Sequence, residues 1–165
     1  MKTPFVTACL PFLLMSGLAA ITASAQPPST KLPMDSVYQG RIVLPDFKGR
    51  DKEFSTFRTR IREEMKSGPN FAGHYAIVVI GCGMGCRFAF IGDVANGQMF
   101  QFPYGGEEHL EMTLSFNVKG SNVGVRWVSG DNCMSDTLLW NGAQFQSTGH
   151  ARRSSKRELC EMHAF

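Results

Sequence analysis

A strong excess of charge is missing from this chain. Seventeen Lys and Arg against fourteen Asp and Glu leave a formal net charge of +3 over 165 residues. That is too mild to argue for a nucleic-acid partner. Catalytic signatures are missing too. No G-x-S-x-G, H-E-x-x-H or P-loop pattern occurs, so the usual warrants for a serine hydrolase, a zinc protease or a nucleotide-hydrolysing enzyme are absent. No repeat with a period of about 20–50 residues is present, which argues against solenoids and propellers. Beyond the first thirty residues no apolar segment reaches about 18 residues, so no membrane span is expected in a processed chain.

Charge is scarcest at the start, where Lys2 is the only charged residue among the first thirty. An apolar run from Phe5 to about Ile21 follows, interrupted by Pro11, Ser16 and Gly17, and then the small residues Ala23-Ser24-Ala25. This is the pattern of a cleaved secretory signal over residues 1–25, with Gln26 as the new terminus, in preference to a retained anchor. Val6-Thr7-Ala8-Cys9 has the look of a lipoprotein signal, but the apolar stretch before Cys9 is too short for one. Residues 26–36 are rich in Pro and Ser and read as an extended lead-in. Residues 37–165 are one domain's worth of chain, long enough to bury a core without metal or oligomerisation. The expected location is periplasmic or secreted. Cys9 leaves with the signal, so Cys82, Cys86, Cys133 and Cys160 remain, an even number that reads as two disulfides in an oxidising compartment.

Local patterning predicts an α+β domain, with one N-terminal helix packed on an antiparallel sheet of about six to seven strands. Phe54, Phe57, Ile61 and Met65 recur at steps of three and four, giving a helix over 54–66 that Ser67-Gly68-Pro69-Asn70 ends. Short strands are expected at 38–44, 74–80, 87–94, 98–102, 112–118, 122–128, 136–140 and 143–147, with turns at Ala95-Asn96-Gly97, Lys119-Gly120-Ser121 and Asn141-Gly142. His150, Arg152, Arg153, Lys156 and Arg157 crowd the tail, which reads as a solvated surface; a docking patch for an acidic partner is the sharper alternative.

Gly81-Cys82-Gly83-Met84-Gly85-Cys86 falls between two of these strands. Gly83 and Gly85 can take the angles of a tight reversal, and residues facing across it have Cα atoms about 4.5–5.5 Å apart, within disulfide range. A Cys82–Cys86 bond would staple the hairpin tip and leave Met84 at its apex, with Cys133–Cys160 as the second bond. Pairing Cys82 or Cys86 with Cys133 is the alternative, since spacing does not fix connectivity.

Asn70-Phe71-Ala72-Gly73-His74-Tyr75, the Gly81–Cys86 turn, Asp93-Val94-Ala95-Asn96-Gly97, and Cys133 followed by Trp140-Asn141-Gly142-Ala143-Gln144-Phe145 together resemble a family of small exported bacterial proteins with no assigned activity. The resemblance spans roughly residues 69–147 and implies an envelope location. Cys160 has no counterpart in that pattern. The strand, Cys-bracketed loop, strand and hairpin also resemble, locally, the periplasmic inhibitors of vertebrate lysozyme, in which the stapled loop fills the enzyme's cleft with a histidine. Here the loop offers Met84 instead.

Other candidate sites have plain readings beside them. His74 reads as a structural histidine bonded to a backbone carbonyl; the sharper reading makes it a base beside a reactive cysteine. Glu108 and His109, with Asp93 or Glu111, would suit a divalent ion, against the plainer reading of a solvated loop. Cys82, Met84 and Cys86 would suit copper(I) if the thiols were reduced. Met99, Met112, Met134 and Met162 add thioethers, although Met34, Met65 and Met112 read as packing residues. No catalytic set emerges and no cofactor is expected. The sequence therefore points to an envelope protein that binds an unidentified protein partner through Gly83, Met84 and Gly85. It would act as an inhibitor or immunity protein against a hydrolase rather than as an enzyme. A periplasmic soft-metal or thiol-redox protein is the alternative.

Overall fold

The computed structural model describes residues 36–149, 151–154 and 160. The expected signal segment, the lead-in up to residue 35, and Met34, His150, Lys156, Arg157 and Met162 lie outside these residues. The described part is an α+β structure, dominated by antiparallel sheet with a single helical stretch ahead of it.

That stretch begins as a 3-10 turn, Lys52–Phe57, and continues as α1, Arg58–Lys66. Phe54, Ile61 and Met65 are buried and Phe57 packs beside them, as their spacing requires. The helix does not start with a side-chain cap, because the residue in the capping position is committed elsewhere. Asp51, 1% exposed, accepts the backbone N–H groups of Asp46 at 3.0 Å and of Met99 at 3.1 Å. It ties two distant segments together instead of opening the helix. Residues 36–51 precede the helix, so it is N-terminal only in the sense of preceding the strands.

The strands are β1 (Tyr75–Gly83), β2 (Cys86–Asp93), β3 (Met99–Gly105), β4 (Leu110–Ser115), β5 (Asn122–Ser129), β6 (Asn132–Trp140), β7 (Phe145–Ser147) and β8 (Arg152–Ser154). They form two sheets where sequence patterning predicts one of six to seven strands: β1-β2-β3, and β4-β5-β6 with β7 and β8 sharing the far edge of β6. The division falls at Gly105-Gly106, where the Gly106 N–H turns back to the Arg87 carbonyl and a 3-10 turn, Glu107–His109, redirects the chain. The apolar pattern explains why two sheets are needed. Tyr75 and Ile77 of β1 face one core with Ala89, Ile91, Met112, Val123, Val125 and Trp140, while Ala76, Val78 and Ile80 face another with Phe54, Ile61 and Met65. A strand buried on both faces must be covered from both sides. The result is three layers: helix, three-stranded sheet, five-stranded sheet. Each large apolar side chain fully buried between them is worth about 1.5–3 kcal/mol of transfer free energy.

Residues 38–44, expected as a strand, form no strand and make no ladder. Their backbone bonds to the sheet are isolated, Tyr38 N–H to the Gly73 carbonyl and Val43 N–H to the Val94 carbonyl, because both acceptors sit in turns at the strand ends, and Tyr38, Ile42 and Leu44 pack against the helix-side core.

Two of the motifs prove to be turn chemistry. Phe71 and Tyr75 exchange backbone hydrogen bonds of 2.9 Å around Ala72–His74. The Asn70 side chain accepts the Ile77 N–H at 2.8 Å and donates to the Ile77 carbonyl at 3.2 Å, so one amide substitutes for a neighbouring strand. In the β2–β3 turn Asp93 accepts the Ala95 N–H and the Asn96 side-chain amide, at 2.8 and 2.7 Å.

Candidate functional site

The β1–β2 hairpin ends in a loop closed by the Cys82–Cys86 disulfide, with Cα atoms 5.0 Å apart. Gly83 and Gly85 have φ of 102° and 78°, and Met84 between them has φ of 27°, so three successive residues sit in backbone space that glycine enters freely. The side chain of Met84 is wholly in solvent, at 102% relative exposure. Thioethers usually pack inside, so an apolar side chain presented at the apex of a ring is the unusual feature of this surface.

The base of the loop is held from a second direction. The Glu111 N–H donates to the Gly85 carbonyl at 2.8 Å, and the Arg87 guanidinium donates to the Met112 carbonyl at 3.1 Å. The loop therefore leans on the start of β4, and the acidic turn 107–111 lies beside it. Within that turn His109 is committed to structure. Its Nδ1 is 3.0 Å from the Gly105 carbonyl, and its ring meets Tyr104 and Trp127 edge-on at 4.8 and 5.1 Å. Glu108 is exposed. Asp93 cannot join them. Phe88 of β2 pairs beside Gly105, and Asp93 is five residues further along β2, roughly 17 Å at about 3.4 Å per residue. Among the described residues no group of three or more His, Cys, Asp or Glu is gathered to hold a metal.

The cysteines are paired as Cys82–Cys86 and Cys133–Cys160, so the cross-link from the tip to Cys133 does not form. With the staple closed, Cys82 and Cys86 present no thiolate to copper(I) or to a substrate, and Met84 alone remains as a soft donor.

His74 is far from the stapled loop, since Cys82 lies at the other end of β1, roughly 27 Å away at about 3.4 Å per residue, and no free cysteine thiol stands beside it among the described residues. Nor does its ring bond a backbone carbonyl. It is buried, with Nε2 3.7 Å from Asp93 Oδ2 and no hydrogen-bond partner for Nδ1. Burial lowers the His74 pKa from its ordinary 6.5, against the pull of the Asp93 carboxylate. Burial raises Asp93, against the bonds from Ala95 and Asn96 and the attraction of His74.

Other polar placements carry no local sequence signal. Buried Asp136 accepts the Tyr104 hydroxyl at 2.6 Å and the Ser147 hydroxyl at 3.1 Å, tying β3, β6 and β7 together. Burial and this bond push the Tyr104 phenol up to about 12. On the outer side of the five-stranded sheet, Arg126 and Arg152 fall in one cross-strand row. Each partnership joins residues from separate strands, and only the pairing register reveals it. No described helix is long and apolar enough to cross a membrane.

No family model matches this chain, and neither does any curated protein or solved structure with which it was compared.

Proposed function

We propose that the protein is an exported binding protein that places the Cys82–Cys86 loop in the cleft of a hydrolase and blocks it. The observation that carries this reading is Met84, wholly exposed on a ring that a disulfide closes and β4 braces. A loop ordered before it binds forfeits little conformational entropy on association, and a polarizable, unbranched thioether adapts to an apolar or aromatic-lined cleft. Export is supported by the pattern of residues 1–25, by the resemblance to small exported proteins, and by two disulfides, which suit an oxidising compartment. Gly83 and Gly85 shape the loop and Met84 makes the contact. Binding, not catalysis, is the activity.

The soft-metal or thiol-redox alternative has one observation in its favour. Cys82 is exposed and Cys86 half-buried, so a reductant can reach the staple. Reduction would free two thiolates on either side of Met84.

The test is to titrate the oxidised protein against a panel of secreted glycosidases and peptidases with open clefts, and to repeat it with Met84→Asp and with Cys82→Ser/Cys86→Ser. Stoichiometric inhibition of one enzyme, lost in Met84→Asp, is the expected result. No inhibition across the panel, together with tight copper(I) binding by the reduced protein alone, would favour the alternative.

A further inference from the structure

The outer face of the five-stranded sheet carries a row of polar side chains that nothing in the fold requires. Pairing aligns Thr113 of β4 with Arg126 of β5, Arg126 with Ser135 of β6, and Ser135 with Arg152 of β8. Residues directly opposite one another across strands project to the same face, so two guanidinium groups flank the Ser135 hydroxyl, about 10 Å apart at Cα. The next row on that face is Ser115, Gly124 and Thr137. Gly124 contributes no side chain there, and a Cβ at that position would meet Ser115 Oγ at 2.5 Å. These rows line a concave groove of about 850 Å³, within the roughly 300–1,000 Å³ range of small-molecule sites.

Charge is the informative part. Arg50, Arg87 and Arg153 are employed within the fold, on the Asp51 carboxylate, the Met112 carbonyl and the Asn132 side chain. The guanidinium groups of Arg126 and Arg152 have no hydrogen-bond or ion-pair partner among the described residues. Arg126 is nevertheless half-buried. The one carboxylate along the groove, Asp136, belongs to the other face: it pairs with the core residue Val125 and is already taken by Tyr104, Ser147 and the Thr137 N–H.

We infer that this groove binds an acidic saccharide, its carboxylate or phosphate held between Arg126 and Arg152 and its hydroxyls bonded by Thr113, Ser115, Ser135 and Thr137. Planar guanidinium groups match an oxyanion's paired acceptors. Side-chain hydroxyls both donate and accept, as sugar hydroxyls demand. The Cys133–Cys160 bond lies at one end of the same face, packed with Val128, and tethers the chain just beyond the strand that supplies Arg152.

Calorimetric titration of the full oxidised chain with trigalacturonate, glucose 6-phosphate, inorganic phosphate and neutral maltotriose tests the inference. At least one charged sugar should bind saturably, about tenfold tighter than inorganic phosphate, and maltotriose should not bind; which sugar wins tells a carboxylate from a phosphate. Arg126→Gln and Arg152→Gln should each weaken that binding about tenfold or more, and Arg126→Lys should keep part of it, with melting curves confirming that all three fold. The inference is overturned by an absence of saturable binding to both charged sugars, by inorganic phosphate binding as tightly as the sugars, or by folded Gln variants that bind like the parent.

Discussion

His74 Nε2 lies 3.7 Å from Asp93 Oδ2, and both side chains are buried where β1 begins and β2 ends. Burial dominates each of them, so the folded state favours the neutral form of both.

The two groups act on stability with opposite signs. Below the ordinary His value of 6.5 the unfolded chain takes up a proton that buried His74 resists, so stability falls as pH drops through that window toward the lowered folded value. Asp93 works the other way. Its burial costs stability while it is ionised, and that cost is relieved as pH falls through its raised folded value toward 3.8. The urea midpoint of the parent should decline between pH 7 and pH 5.5, and His74→Gln should flatten that decline. A parent midpoint that rises over this range relative to the variant would contradict the assignment.

Met84→Asp should shift stability by less than about 0.5 kcal/mol, since the side chain touches nothing and Asp tolerates positive φ better than Met. Binding to a partner held through the loop should weaken by about 1 kcal/mol or more, the scale of a contact that matters at an interface. Thermal melts and partner titrations on the same preparation separate the two effects. An unfolded variant would contradict the exposed placement of Met84.

The two disulfides should differ in weight. Cys82 and Cys86 are 4 residues apart and Cys133 and Cys160 are 27 apart. By loop-closure entropy the first contributes about 2 kcal/mol and the second about 3.5 kcal/mol. Equilibrium unfolding of Cys82→Ser/Cys86→Ser and of Cys133→Ser/Cys160→Ser should show that order.

Asn70→Ala should destabilise the fold by about 1–3 kcal/mol, because it strips partners from both backbone groups of Ile77 at once. Asn70→Asp tests the mechanism. It keeps the acceptor for the Ile77 N–H but loses the donor to the carbonyl, and chemical denaturation should place it between the parent and Asn70→Ala.

What the sequence discloses here follows the range of the forces involved. The helical face of Phe54, Ile61 and Met65 and the hairpin turns at Asn96-Gly97 and Asn141-Gly142 are set by neighbours a few residues apart, and all are present. The Cys82–Cys86 staple is likewise local. The break between β3 and β4 is not, because Leu110 could equally have continued the first sheet; its pairing with Val128 decides the matter from a distance. β8 is short and basic, and reads as solvated tail until its partner Ser135 is known. His74 with Asp93 and Arg126 with Arg152 are invisible for the same reason, since each member lies on a different segment of the chain and no spacing joins them.

The bond between Cys133 and Cys160 has a further consequence. A protease that cuts the chain anywhere between residues 134 and 159 severs the backbone but not the molecule, because the two pieces stay joined through sulfur. Nicked protein would migrate at full mass until a reductant is added and then split in two. Within the segment so enclosed lie β7, β8 and most of β6. Damage there is held in place as one covalent body, whereas a cut between residues 87 and 132 depends on non-covalent packing alone to keep its halves together.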